Sequence, residues 1–168
     1  MCNTIYNNNI IDILEMNMTN TDFDYGILHH MVGLELRKAQ ALANQTFLSA
    51  LEGQLLPGHY TVLVLIAKNP NQSQSRIAEA AGLDRSSLVP ILKQFEKDDL
   101  IKRHPARHDR RAKIMTITPK GAGLITKYEK QIKALEQTVL SGLGPENHAK
   151  LVELLLAFQE VLKTRLDT

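Results

Sequence analysis

The chain has 168 residues, 43% of them apolar and 23% charged, with a formal net charge of +2 at pH 7. That length suits about one domain and that composition a buried core, which excludes a disordered chain. No run approaches the ~20 apolar residues of a membrane span, and a single cysteine, Cys2, excludes an internal disulfide framework or a multi-cysteine zinc cluster.

Residues 1–24, rich in Asn and Thr, read as a flexible N-terminal arm. They hold no basic residue and no apolar block of signal-peptide length, so a cytoplasmic location is expected. From Ile27 to Leu51, apolar residues recur at three and four, predicting a first amphipathic helix through Leu28, Met31, Val32, Leu36, Ala39, Ala43 and Phe47. Pro57 suits a first helical position and opens a second helix that Asn69-Pro70-Asn71 stops. Ser73 caps a short third helix that ends at Gly82, and Asp84 caps a fourth that runs to about Asp98 with Leu88, Ile91, Leu92 and Phe95 on one face. Leu100–Arg103 and Lys113–Thr118 are β-compatible segments around a long tip, Pro105–Ala112. Met115 and Ile117 point to one side of that hairpin, Ile114 and Thr116 to the other. Thr118-Pro119 starts a fifth helix that is predicted to end near Leu140, ahead of Gly142-Leu143-Gly144-Pro145. The last helix, Pro145 to Leu166, carries Leu151, Leu154, Leu155, Phe158, Val161 and Leu162 on a stripe that Val152 and Leu156 widen. So broad an apolar face implies a partner surface, most simply a second copy of the chain.

Charge is distributed unevenly. Asp12, Glu15, Asp22, Asp24 and Glu35 meet no Lys or Arg before Arg37, whereas Lys102, Arg103, Arg107, Arg110, Arg111 and Lys113 crowd one stretch. That asymmetry points to an anionic partner. Gln74 to Ile91 has helix-turn-helix spacing, with Ala78 small where two helices approach, Gly82 at the turn and Ile77, Ala81, Leu83, Leu88 and Ile91 as shared core. An ordinary helical hairpin explains the apolar positions equally well. It does not explain Arg85, Ser86 and Ser87 at the second helix's start, where the helix dipole and free amides attract phosphate. The basic hairpin follows directly, so a recognition helix for the major groove stands beside a wing whose arginines suit the minor groove.

Taken in order, Leu56-Pro57-Gly58-His59-Tyr60-Thr61-Val62-Leu63, Ile77 through Leu88, Phe95 through Arg103, the wing motif Asp109-Arg110-Arg111 and Thr118-Pro119-Lys120-Gly121 resemble the MarR family of transcriptional regulators. The resemblance spans about residues 27 to 166. It implies a mainly α fold: a winged helix-turn-helix at 56–118 with a two-stranded wing, flanked by dimerisation helices at 27–52 and 119–168 within one domain at 25–168. It also implies a homodimer that binds a palindromic duplex DNA operator, usually as a repressor, and lets go when a small-molecule effector binds. No enzyme activity, cofactor or membrane partner is implied.

Carried over residue by residue, Ser73, Ser75 and Arg76 would approach phosphates, Arg85, Ser86, Ser87, Val89 and Lys93 would face the major groove, and Arg107 would join the basic wing. Arg110 or Arg111 would reach the minor groove while Asp109 braces the other. Two departures stand out. Leu56 replaces a capping threonine, which predicts a looser start to the second helix. Pro90 replaces a long polar side chain, so the recognition helix should bend or start late. Arg37-Lys38-Ala39-Gln40 resembles the first helix of members that sense aromatic acids or their coenzyme A thioesters. That likeness nominates Arg37 and Gln40, with His59 and Tyr60, as effector ligands, against a surface role for Arg37 paired with Glu35.

Six histidines lack any accompanying catalytic signature. A thiol-redox or metal-responsive regulator on the same fold is the alternative. The first would use Cys2, which has no basic neighbour in sequence to favour a thiolate, and the second Cys2, His29, His30 and His59. Adjacent histidines on a helix diverge by about 100°, so only one of His29 and His30 could enter a given site.

Overall fold

Local chemistry sets where most of the helices begin. Ser73, Asp84 and Thr118 sit in extended backbone, and each accepts through a side-chain oxygen the amide three residues on: Arg76 at 3.3 Å, Ser87 at 2.8 Å and Gly121 at 3.1 Å. Pro57 starts its helix with a ring-fixed φ instead, because Leu56 supplies no capping oxygen. The computed structural model describes residues 23–29, 31–53, 55–105 and 113–166. Among these, helices α1 (Val32–Ala50), α2 (Pro57–Lys68), α3 (Gln74–Ala80) and α4 (Arg85–Lys97) precede strands β1 (Ile101–Pro105) and β2 (Lys113–Ile117), and helices α5 (Pro119–Leu143) and α6 (Pro145–Leu166) follow. The fold is mainly α with a two-stranded wing.

The chain divides into two compact units, Met1–Ala41 and Leu42–Thr168. In the first, α1 begins five residues after the Ile27 start that periodicity predicts. Gly26, at φ +51, opens a 3-10 turn over Gly26–Leu28, with its amide bonded to Asp24 Oδ1 at 2.8 Å, and His29 then extends. An α-helix cannot run through that sequence of conformations. Lys38 pairs with Glu35 at 2.9 Å and stands 4.8 Å from the Tyr25 ring centroid. No described residue of this unit is buried. Cys2, His30 and all but the last two residues of the predicted arm lie outside the described residues.

The second unit holds the core. Val62, Leu63 and Ile66 of α2, Ile77 and Ala78 of α3, and Leu88, Leu92 and Phe95 of α4 are buried with Ile101 and Met115 of the strands. Leu51, Leu55, Leu100 and Tyr128 complete the cluster. Gly82 occupies the left-handed region (φ +65) in the turn between α3 and α4, as predicted, and the Leu83 amide closes that turn on the Ala78 carbonyl at 2.9 Å. The strands pair antiparallel from Ile101↔Ile117 to Pro105↔Lys113, and an isolated bridge between Ser73 and Ile114 ties the start of α3 to the wing. β1 runs two residues beyond its predicted end at Arg103.

Behind the wing, Thr118 is buried, with its hydroxyl bonded to the carbonyls of Asp99 (2.7 Å) and Leu100 (3.1 Å). Gly121 leaves no room for a side chain, since a Cβ there would lie 2.2 Å from the Leu100 carbonyl oxygen and 2.6 Å from Ile117 Cδ1. α5 passes through Gly142 and ends at Leu143, later than the predicted Leu140, and the break falls at Gly144 with φ +77. α6 packs on α5, where His148 Nε2 meets Glu136 Oε1 at 2.8 Å, yet none of its described residues is buried.

Candidate nucleic-acid interface

A helix that enters a groove must be held from behind and bare in front. α4 is held by Leu88, Leu92 and Phe95, all buried, and packs on α3 and β1. Ser86, Pro90, Lys93 and Lys97, spaced four, three and four residues apart, form an exposed stripe on the other side. Arg85 is exposed at the first helical position, whereas Val89 is half-buried beside the stripe. Despite Pro90, α4 is continuous from Arg85 to Lys97, so the late start that the sequence allows does not occur. The proline still removes one amide from the helix ladder.

The start of α4 differs from the open phosphate seat that the sequence suggests. Asp84 fills it: Oδ1 accepts from Ser86 Oγ (2.5 Å) and the Ser87 amide (2.8 Å), and Oδ2 accepts from Ser87 Oγ (2.6 Å). The Ser86 hydroxyl, followed by the Ser87 hydroxyl and amide, holds the Asp84 carboxyl well below the usual carboxylate range. The site is therefore anionic at any pH near neutrality.

Ser75 and Arg76 are exposed on α3, and Ser73 is half-buried at its cap. On the wing, Lys102 and Lys113 are exposed, and His104 Nε2 lies 3.2 Å from Thr116 Oγ1. Arg103 departs from the basic cluster that the sequence suggests. Its Nε stands 2.8 Å from Glu96 Oε2 as an ion pair between β1 and α4, without the alignment of a hydrogen bond, and its Nη2 is buried. Arg107, Asp109, Arg110 and Arg111 lie outside the described residues. Lys97 is the stripe residue that sequence reading left out, although the spacing Ser86, Pro90, Lys93, Lys97 carries the signal.

Of the effector candidates, the structure separates His59 from Tyr60, because neighbours on a helix point about 100° apart. The His59 ring meets Phe95 edge-on at 5.8 Å and lines a cleft of about 340 Å³ with Leu55, Leu56, Gln94, Asp98 and Lys120. Burial lowers the His59 pKa. Tyr60 instead meets Phe47 at 5.9 Å, and burial, with the Glu129 charge second, raises its pKa. Arg37 and Gln40 are exposed on the part of α1 that belongs to the first unit. Among the described residues, no group of three or more His, Cys, Asp or Glu is placed to hold a metal ion, and no helix is long and apolar enough to cross a membrane.

Residues 55–113, from the approach to α2 through the first residue of β2, match the family model described as MarR family. A protein of Thauera aromatica, described as a transcriptional regulatory protein for the hcr operon, is 33% identical over 134 residues, which is 78% of this chain and 80% of that protein. The transcriptional repressor CouR bound to a 23-mer DNA duplex matches with a TM-score of 0.73 and 28% identity over 83% of this chain and 99% of its own. CouR bound to p-coumaroyl-CoA matches with a TM-score of 0.72 and 27% identity over 82% of this chain and 98% of its own.

Proposed function

The chain belongs to the MarR family of transcriptional regulators, and we propose that it binds a palindromic duplex operator as a homodimer and acts as a repressor released by a small aromatic or phenolic ligand. The single observation that carries this reading is α4 itself, buried on one side and presenting Ser86, Pro90, Lys93 and Lys97 on the other, next to a basic wing. In this reading α4 lies in the major groove, Ser73, Ser75 and Arg76 approach the backbone, and Arg110 or Arg111 enters the minor groove with Asp109 bracing the tip. The apolar face of α6 serves the dimer.

Selection of fragments from a random DNA pool tests this directly. An inverted repeat with half-sites about one helical turn, ~34 Å, apart is expected. If six to ten phosphates are neutralised, affinity falls by roughly 10³ to 10⁵ between 50 and 200 mM salt. A monomer at micromolar concentration, or no enriched sequence, overturns the proposal.

For the effector, CouR bound to p-coumaroyl-CoA supports an aromatic acid or its thioester, and the planar fork of Arg37 suits a carboxylate or phosphate. Such a ligand must prefer the released state by about 10⁴-fold, ~5.5 kcal/mol, to switch the equilibrium fully. Benzoates, hydroxycinnamates and their thioesters should be titrated into the DNA complex, with Arg37→Ala, His59→Ala and Tyr60→Phe alongside. If no compound releases DNA, the effector reading fails and the DNA-binding reading stands.

A further inference from the structure

The direction of hydrogen bonding on the DNA-facing side of α4 is set by Asp84. A serine hydroxyl has one proton and two lone pairs, so once its proton is committed it can only accept from any other partner. Ser86 Oγ and Ser87 Oγ both give their protons to the Asp84 carboxylate, which has no proton to return. Ser86 lies on the exposed stripe with Pro90, Lys93 and Lys97, opposite Leu88 and Leu92, while Ser87 sits on the flank. One turn further on, Pro90 adds an apolar ring and no donor. The first side-chain proton available along the stripe therefore belongs to Lys93.

In the major groove, adenine N6 and cytosine N4 carry hydrogens, whereas guanine O6 and N7 and thymine O4 are acceptors. We infer that Ser86 is a specificity-determining residue that acts as an acceptor, taking the exocyclic amino hydrogen of adenine or cytosine and disfavouring guanine or thymine at the contacted position. It thereby distinguishes the two orientations of a base pair, A·T from T·A and C·G from G·C. Opposed acceptors would leave both groups desolvated and unpaired, a penalty of roughly tenfold in affinity per half-site. This inference rests on the DNA-binding reading above.

Selection from a random pool with wild type, Ser86→Ala and Asp84→Gly tests it. Ser86 is exposed and Gly is tolerated at a helix cap, so both variants are expected to fold, with unchanged far-ultraviolet circular dichroism. The wild-type site should contain one position per half-site that prefers adenine or cytosine on the contacted strand. Ser86→Ala should lose that preference and keep the rest of the site. Asp84→Gly, which removes both acceptor oxygens, frees the Ser86 proton and should admit guanine or thymine there. Replacing the preferred base by its analogue without the amino group should weaken wild type about tenfold and leave Ser86→Ala unchanged. The inference is overturned if Ser86→Ala selects the wild-type site, if the Ser86-dependent position prefers guanine or thymine, if Asp84→Gly leaves that preference intact, or if loss of the amino group has no effect on wild type. No enrichment by wild type overturns the DNA-binding reading, and this one with it.

Discussion

In α4, Leu88 and Leu92 are 0% exposed and Phe95 is 1%, whereas in α6 Leu154, Leu156 and Leu162 are 54%, 58% and 48% exposed. Both helices carry apolar stripes, so the difference lies in what covers them. The stripe of α4 is covered by its own chain, through α3, β1 and the core residues of α2. α6 leans on α5 along one edge, where Leu155 and Phe158 are half-buried, and leaves the remainder open. The winged half thus completes its core within one chain, while the last helix keeps apolar area for a partner, which in the proposed dimer is the same helix region of a second copy.

The sharpest way to break this comparison is to shorten a leucine in each helix. Leu92→Ala should cost about 2 to 5 kcal/mol in denaturant unfolding, because the site is sealed and can collapse only in part. Leu156→Ala should change the unfolding midpoint mainly through its dependence on protein concentration. Equal, concentration-independent losses would show that α6 is covered from within. Gly121→Ala comes next: its methyl group would press on the Leu100 carbonyl and Ile117, for a loss of about 1 to 3 kcal/mol that thermal melting would detect. An unchanged melting temperature would mean that the junction of β1 and α5 gives way freely. Leu154→Ser, counted once in each protomer, should weaken the dimer about tenfold by analytical ultracentrifugation while the winged half keeps its circular dichroism. The smallest effect concerns His59. Its pKa is lowered in the folded chain from the ordinary value of about 6.5, so the unfolded chain binds the proton first. The stability this provides is complete above pH ~6.5 and declines as the pH falls below it. His59→Gln should therefore lose less stability than wild type between pH 7 and 5.5, and parallel curves would show that burial of His59 is not what matters.

The elements of the winged half were legible because their signals are local. Pro57, Ser73, Asp84 and Thr118 announce helix starts within three residues of themselves, and Gly82 announces a turn through its own backbone freedom. The fate of Arg103 was not legible, since its partner Glu96 is chosen by how β1 lies along α4. Nor were the separate partners of His59 and Tyr60, because their aromatic neighbours, Phe95 and Phe47, arrive from other helices. The start of α1 at Val32 was missed for a different reason. Apolar periodicity continues unbroken from Ile27 into the helix, while the backbone over Gly26–Leu28 turns.

Periodicity, caps and charge in the sequence alone determined the mainly α winged fold, the capped helix α4 and its order before the wing, because each rests on contacts within a turn or two of chain. Tertiary structure decided which cations stay on the surface and which are drawn inward, that Ser73 bridges to Ile114, and that Gly121 must be glycine. It also decided that the leucines of α4 are sealed while those of α6 are left open. These outcomes depend on which distant segments meet, and an apolar stripe states only that something must cover it.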